Sequence, residues 1–151
     1  MLSKKTKYGL NAVLYLAERY NRGKVLIKDI AKNRKIPQKF LEAILLELNK
    51  KGFLHSKRGK GGGYSFKKHP REITFGEIIR VLEGPLAPVS CVSQTAYHRC
   101  EECLDEESCC IRLVMKEARE AISNILDKTS SEEMILKVKN LNETRTANYQ
   151  I

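Results

Sequence analysis

Five cysteines, Cys91, Cys100, Cys103, Cys109 and Cys110, fall within one short segment and nowhere else in the 151-residue chain. Thiolates are soft ligands suited to iron–sulfur clusters or zinc. In a reducing compartment a group this tight points to a metal or redox site rather than a disulfide framework. Cys100-x2-Cys103 followed by Cys109-Cys110 would also suit a zinc knuckle, and a cluster-free thiol switch is a further reading. Inert thiols are the least economical one, because exposed cysteines are reactive. A cysteine-dependent reductase built on Cys100 and Cys103 would need a lowered thiol pKa, whereas the Leu104-Asp105-Glu106-Glu107 that follows brings negative charge. No glycine-rich phosphate loop, Ser–His–Asp set or paired acid and base stands out, and His55, His69 and His98 lie far apart in sequence. A non-enzyme is expected.

A second constellation is cationic. Lys57-Arg58-Gly59-Lys60-Gly61-Gly62-Gly63 separates two short β-prone runs, Phe53–Ser56 and Tyr64–Phe66. Glycines allow the backbone a positive φ at the tip of a hairpin, and three cations crowd that tip. Just before it, Phe40, Leu41, Ile44, Leu45 and Leu48 repeat along one helical face, and Gly52 stops the helix. Ile27, Ile30 and Ala31 mark a shorter helix that Ile36-Pro37 ends. Two helices and a basic hairpin predict a winged helix-turn-helix, the second helix in the major groove of double-stranded DNA and the wing on phosphates or in the minor groove.

The charge distribution agrees. Residues 1–75 carry 19 Lys and Arg against 5 Asp and Glu, while residues 76–151 carry 9 against 13. A basic half joined to a mildly acidic half suits a DNA-binding module with a sensing or dimerising module. A structural nucleoid protein would use the first half but leave the cysteines without a role. No apolar run approaches a membrane span, and the start of the chain lacks a secretory core, so a cytoplasmic protein is expected.

The remaining elements must hold these two constellations. Residues 3–20 read as a first helix with Tyr8, Leu10, Val13, Leu14, Leu16 and Ala17 in helical rhythm and Ser3 or Thr6 as cap. Val25-Leu26-Ile27 predicts a very short strand beside the wing. Thr74 and Glu77 form a capping box for a helix that Gly84-Pro85 stops. After the cysteines, Ile111, Val114, Met115, Ala118, Ile122, Ile125 and Leu126 predict a helix of about five turns with one apolar stripe. Packing against its copy in a second chain is the simplest way to bury that stripe. Ser130 and Glu133 cap a short last helix through Lys139, and 141–151 reads as a flexible tail. The fold class expected is therefore mainly α. It comprises a winged helix-turn-helix domain over 1–84, a cysteine-rich loop over 85–110, and a long dimerisation helix plus a short terminal helix over 111–140.

The stretches YGLNAVLYLA, IPQKFLEAILLELNKKGFLHSKRGKGGGYSF and ITFGEIIRVLEGP, with cysteines directly before a long amphipathic helix, together resemble bacterial winged-helix regulators of the IscR, NsrR and CymR kind, the Rrf-type family. The resemblance covers roughly residues 1–138. It implies a homodimeric transcription factor on a pseudo-palindromic operator. In several members the loop before the long helix holds an iron–sulfur cluster, [2Fe–2S] or [4Fe–4S]. The family's DNA-contacting positions fall on Gln38, Lys39, Glu42 and Arg58, with Lys57 and Lys60 beside the last. Those residue types also suit the role, since Gln can pair with adenine, Lys with guanine, and Glu can accept from a cytosine amino group. The cluster ligands map to Cys91, Cys103 and Cys109. Arg112 stands where IscR has its histidine ligand, leaving Cys100, His98 or a residue outside the loop as a fourth, and Cys110 as a substitute for Cys109.

Overall fold

The computed structural model describes residues 2–148, in the order α1 (Lys4–Ala17), α2 (Ile27–Arg34), α3 (Gln38–Lys50), β1 (Leu54–Lys57), β2 (Gly63–Phe66), α4 (Phe75–Leu82), α5 (Cys110–Lys128) and α6 (Ser131–Asn148), with 3-10 turns at Pro70–Glu72 and Ser90–Val92. Ser3 caps α1, its hydroxyl accepting from the Thr6 N–H. The buried side of α1 is Thr6, Gly9, Ala12, Val13 and Leu16, with Tyr8, Leu10 and Leu14 only half-buried. The small residues matter because α4 crosses here. A Cβ on Gly9 would stand 2.1 Å from Leu82 Cδ1.

The crossing is locked by one carboxylate. Glu83 Oε2 accepts from the Ser3 N–H, the Ser3 hydroxyl and the Thr6 hydroxyl. The Thr6 and Ser3 hydrogen bonds hold the Glu83 carboxyl down to about 2. A group so depressed stabilises the fold above its ordinary value near 4.5 and loses that contribution as pH falls towards 2. Glu83→Gln is expected to lower the melting temperature at pH 7 and to flatten its acid dependence between pH 4.5 and 2. A melting curve series in which both proteins keep the same acid slope would exclude the clamp.

Between α2 and α3 the chain turns at Lys35, left-handed at φ 52°, so that Ile36 dips into the core and Pro37 opens α3. Ile30, Leu41, Ile44, Leu45 and Leu48 interlock there with essentially no exposure. Phe40, expected on the same face, is instead 61% exposed. Steps of four residues overshoot a helical turn by about 40°, so along Phe40, Ile44 and Leu48 the first lies outermost.

β1 and β2 pair antiparallel from Leu54↔Phe66 to Lys57↔Gly63. The strand expected over Val25-Leu26-Ile27 shrinks to a bridge between Val25 and Tyr64, because Leu26 caps α2 and Ile27 already belongs to it. Gly63, at φ 127°, makes the bridge possible, since a Cβ there would lie 2.3 Å from the Val25 carbonyl oxygen.

The Thr74–Glu77 and Ser130–Glu133 capping boxes both form. Buried Ser131 donates through its N–H and its hydroxyl to the Ile73 carbonyl, and the Phe75 N–H donates to Thr129. α6 thereby returns to pack on α1 and the Pro70 turn, with Ile135 against the core. The helix does not stop at Lys139. Residues 141–148, expected as tail, continue it to Asn148, since no Gly or Pro interrupts 131–148. Residues 149–151 lie outside the described residues.

Candidate DNA-reading surface and thiol cavity

Gln38, Lys39 and Glu42 occupy the exposed first turns of α3, and Lys57, Arg58 and Lys60 the exposed tip of the wing. A groove of about 710 Å³ runs between helix and wing; Gln38, Glu42, Lys57 and Arg58 line it. Lys39 and Lys60 are exposed beside it rather than within it. Gln38 Nε2 donates to Glu42 Oε1 at 3.0 Å, one turn along, so the two polar heads are presented together. Groove residues that the sequence did not single out include Lys28, at the start of α2, and Tyr64 in the wing. Burial pushes the Tyr64 phenol up, nearby Arg58 pulls it down, and Glu42 adds a smaller upward push, so Tyr64 faces both helix and wing charges. The surface offers cations for phosphates and a hydrogen-bonding edge for bases.

The second constellation closes around a cavity of about 390 Å³ between the Ser90–Val92 turn and the start of α5. Cys91, Cys100, Cys103 and Cys109 all line it, with Arg112 on its wall. Cys91 is buried in the turn, Cys109 is the residue that opens α5, and Cys100 and Cys103 come from one tight bend in which the Cys103 N–H donates to the Cys100 carbonyl. His98 is exposed and not on the cavity wall, and Cys110 is exposed beyond it. Burial pushes the Cys103 thiol up, followed by the charge and hydrogen bond of Cys109 and the charge of Cys100. Among the described residues no three His, Cys, Asp or Glu side chains close on a point where a single metal ion would sit. The thiols surround a volume instead. The loop outside them is held by short local bonds, Tyr97 to Glu106 and Ser108 to Asp105, with Leu104 fully in solvent.

α5 runs on from this cavity. Its self-packed face is centred on Arg119, 7% exposed, with Met115 and Leu126 half-buried beside it. The apolar stripe lies about a quarter-turn away. Ile111, Val114, Ile122 and Ile125 are exposed on it, and Ala118 is half-buried. The far end of α5 is tied back to the winged domain, where Arg80 donates both Nη groups to the two Asp127 carboxylate oxygens at 2.6 and 2.8 Å. No helix among the described residues is long and apolar enough to cross a membrane.

Comparison with known proteins agrees with this architecture. The Rrf2 family, described as an iron-dependent transcriptional regulator, matches residues 2–137. The chain is 40% identical over 138 residues to an rrf2-like HTH-type transcriptional regulator of Rhodobacter capsulatus, covering 89% of this chain and 92% of that one. It is 34% identical over 133 residues to the HTH-type transcriptional regulator CymR of Bacillus subtilis, covering 88% of each. Among solved structures, CymR of B. subtilis, a global cysteine regulator, superposes with a TM-score of 0.74 at 33% identity over 89% of this chain and 95% of that one. IscR of T. potens superposes with a TM-score of 0.74 at 29% identity over 91% and 88%. These relatives are regulators of transcription rather than enzymes. With a winged helix-turn-helix, a basic wing and a match over nearly its whole length, the chain belongs to the Rrf2 family of transcriptional regulators.

Proposed function

We propose that the chain acts as a homodimer that reads a pseudo-palindromic operator in double-stranded DNA and senses redox, iron–sulfur or nitric oxide status through an iron–sulfur cluster held by Cys91, Cys103 and Cys109. The observation that carries the reading is the thiol cavity at the head of the helix whose apolar stripe is left in solvent. Sensing group and dimer surface thus share one rigid element. Bound there, a cluster supplies a redox-responsive centre whose presence depends on iron and oxidants. The chain's own residues do the rest. Cys91 fixes the turn, Cys109 the N-cap of α5, and Arg80–Asp127 carries the position of α5 to α4, which packs on α1 and α3.

DNA contact rests on α3 and the wing. Arg58→Ala should weaken operator binding by about 1–3 kcal/mol, and Glu42→Ala should relax sequence preference by a similar amount at one base pair. Electrophoretic shifts on operator and scrambled DNA separate the two effects, and no change in either variant would sink the docking. The cofactor reading is tested by anaerobic purification with an absorption spectrum and iron, sulfide and zinc analysis. Iron and sulfide in near-equal amounts support it, and one zinc without iron overturns it. A second reading, a cluster-free thiol switch, is favoured by one observation, that four free cysteines line a single cavity.

A further inference from the structure

We propose that the fourth ligand is Cys100, so that the cavity is a four-cysteine site, with the Arg112 Nε–H donating to its sulfur atoms. This inference rests on the cluster reading above and adds two residues to it. Cys100 lines the cavity with the other three thiols, whereas His98 is exposed and does not line it. The bend that joins Cys100 to Cys103 through a backbone hydrogen bond brings both residues to the cavity that Cys91 and Cys109 also line. Thiolate is also the softer choice compared with Glu102, the carboxylate on the same wall. Cys100 now donates its S–H to Glu102 at 3.4 Å. Glu102 is exposed, so it can turn to water when the thiol gives up its proton to ligate.

The second observation is independent of the cysteines. Arg112 Nε is buried and has no hydrogen-bond partner. A buried guanidinium N–H without an acceptor costs free energy, and four cysteine sulfur atoms share its cavity with Ser90 and Glu102, neither of which takes up the Nε–H. Four thiolates leave a cluster with excess negative charge, which an adjacent cation and a donated N–H offset. Position 112 thus serves the site as a donor from outside the ligand set, and Cys100 supplies the fourth thiolate.

The full-length protein reconstituted anaerobically with iron and sulfide provides the test. Alkylation with iodoacetamide followed by peptide mass analysis should find Cys91, Cys100, Cys103 and Cys109 protected and Cys110 modified. Removing iron with a chelator should expose all five. Cys100→Ser should lose most of its iron or keep it with an altered absorption and electron paramagnetic spectrum, whereas His98→Ala and Glu102→Gln should match the wild type. Arg112→Ala should hold the same iron at a more negative reduction potential. Cys100 alkylated as fast with iron bound as without it would overturn the ligand assignment while leaving the three-cysteine reading intact. So would loss of iron in Glu102→Gln with wild-type spectra in Cys100→Ser. An unchanged potential in Arg112→Ala would overturn the role of the arginine. A wild-type chain that takes up no iron would overturn this inference and the cluster reading together.

Discussion

Ile125→Asp is expected to give a folded monomer that no longer shifts a full operator at concentrations where the wild type is saturated. Ile125 is 66% exposed and Ile111 67%, on a face that also carries Val114 and Ile122. Five turns of helix keep this stripe off their own domain, because the inward face is taken by Met115, Arg119 and Leu126. In the proposed dimer an aspartate in the seam is an unpaired buried charge, costing about 3–5 kcal/mol. A two-fold interface carries it twice, so the dissociation constant rises by roughly four orders of magnitude or more. In the monomer the same aspartate meets water, and the circular dichroism spectrum should be unchanged. Operator binding falls because one recognition helix reaches only one half-site, whereas a dimer spans two lying about one helical turn or more apart. Light scattering decides the matter. A mutant dimer of normal stability would mean that the stripe serves another purpose.

Much of the architecture could be read from local chemistry. Thr74 with Glu77 and Ser130 with Glu133 announce their helices because a capping box is a short-range device. The wing was equally plain, with glycines and cations in a fixed order between two β-prone runs. What failed were features set by partners distant in sequence. Phe40 fits the apolar rhythm of α3, yet only the direction of the crossing helices decides that it stays outside. α6 past Lys139 has only Leu141 and Ala147 among polar residues, so periodicity carried no signal, and its persistence follows from the absence of breakers and from anchors at Ser131 and Ile135. Arg119 is buried and Arg112 hides an unpartnered nitrogen, although composition places arginines on surfaces. Tyr15 lies under the Arg19 guanidinium at 3.5 Å, with Arg34 5.4 Å from the same ring and Glu18 bridging both cations. That stack joins α1 to α2, and neither helix alone suggests it. The choice between Cys100 and His98 was open for a related reason. A loop without helical or strand period has no register, so sequence spacing does not say which side chains face one another.

The largest effect at the thiol site should come from Cys91, Cys103 and Cys109. Each changed singly to serine is expected to lose most of the iron taken up by the wild type, while Cys110→Ser keeps it. Cys91 is fixed in the Ser90–Val92 turn, and α5 packs on that turn, so the proposed ligands span two elements with only an irregular loop between them. Replacing any one sulfur with a harder hydroxyl oxygen leaves the iron with an incomplete soft ligand set. Cys110, exposed on the first turn of α5, faces away and gives the control. Because α5 is tied through Asp127 to Arg80 on α4, and α4 packs on α3, the iron-free variants should also differ from the wild type in operator affinity. A coupling of about 1–3 kcal/mol, roughly 5- to 150-fold, is the usual range for two linked sites. Arg80→Ala should reduce that difference while leaving iron content unchanged, since it cuts the link without touching a thiol. Iron analysis and gel shifts on the same preparations separate the two steps. Equal iron in all four serine variants would remove these cysteines from the ligand set. Normal iron loss with identical operator affinity would leave a cluster site that does not speak to the recognition helices.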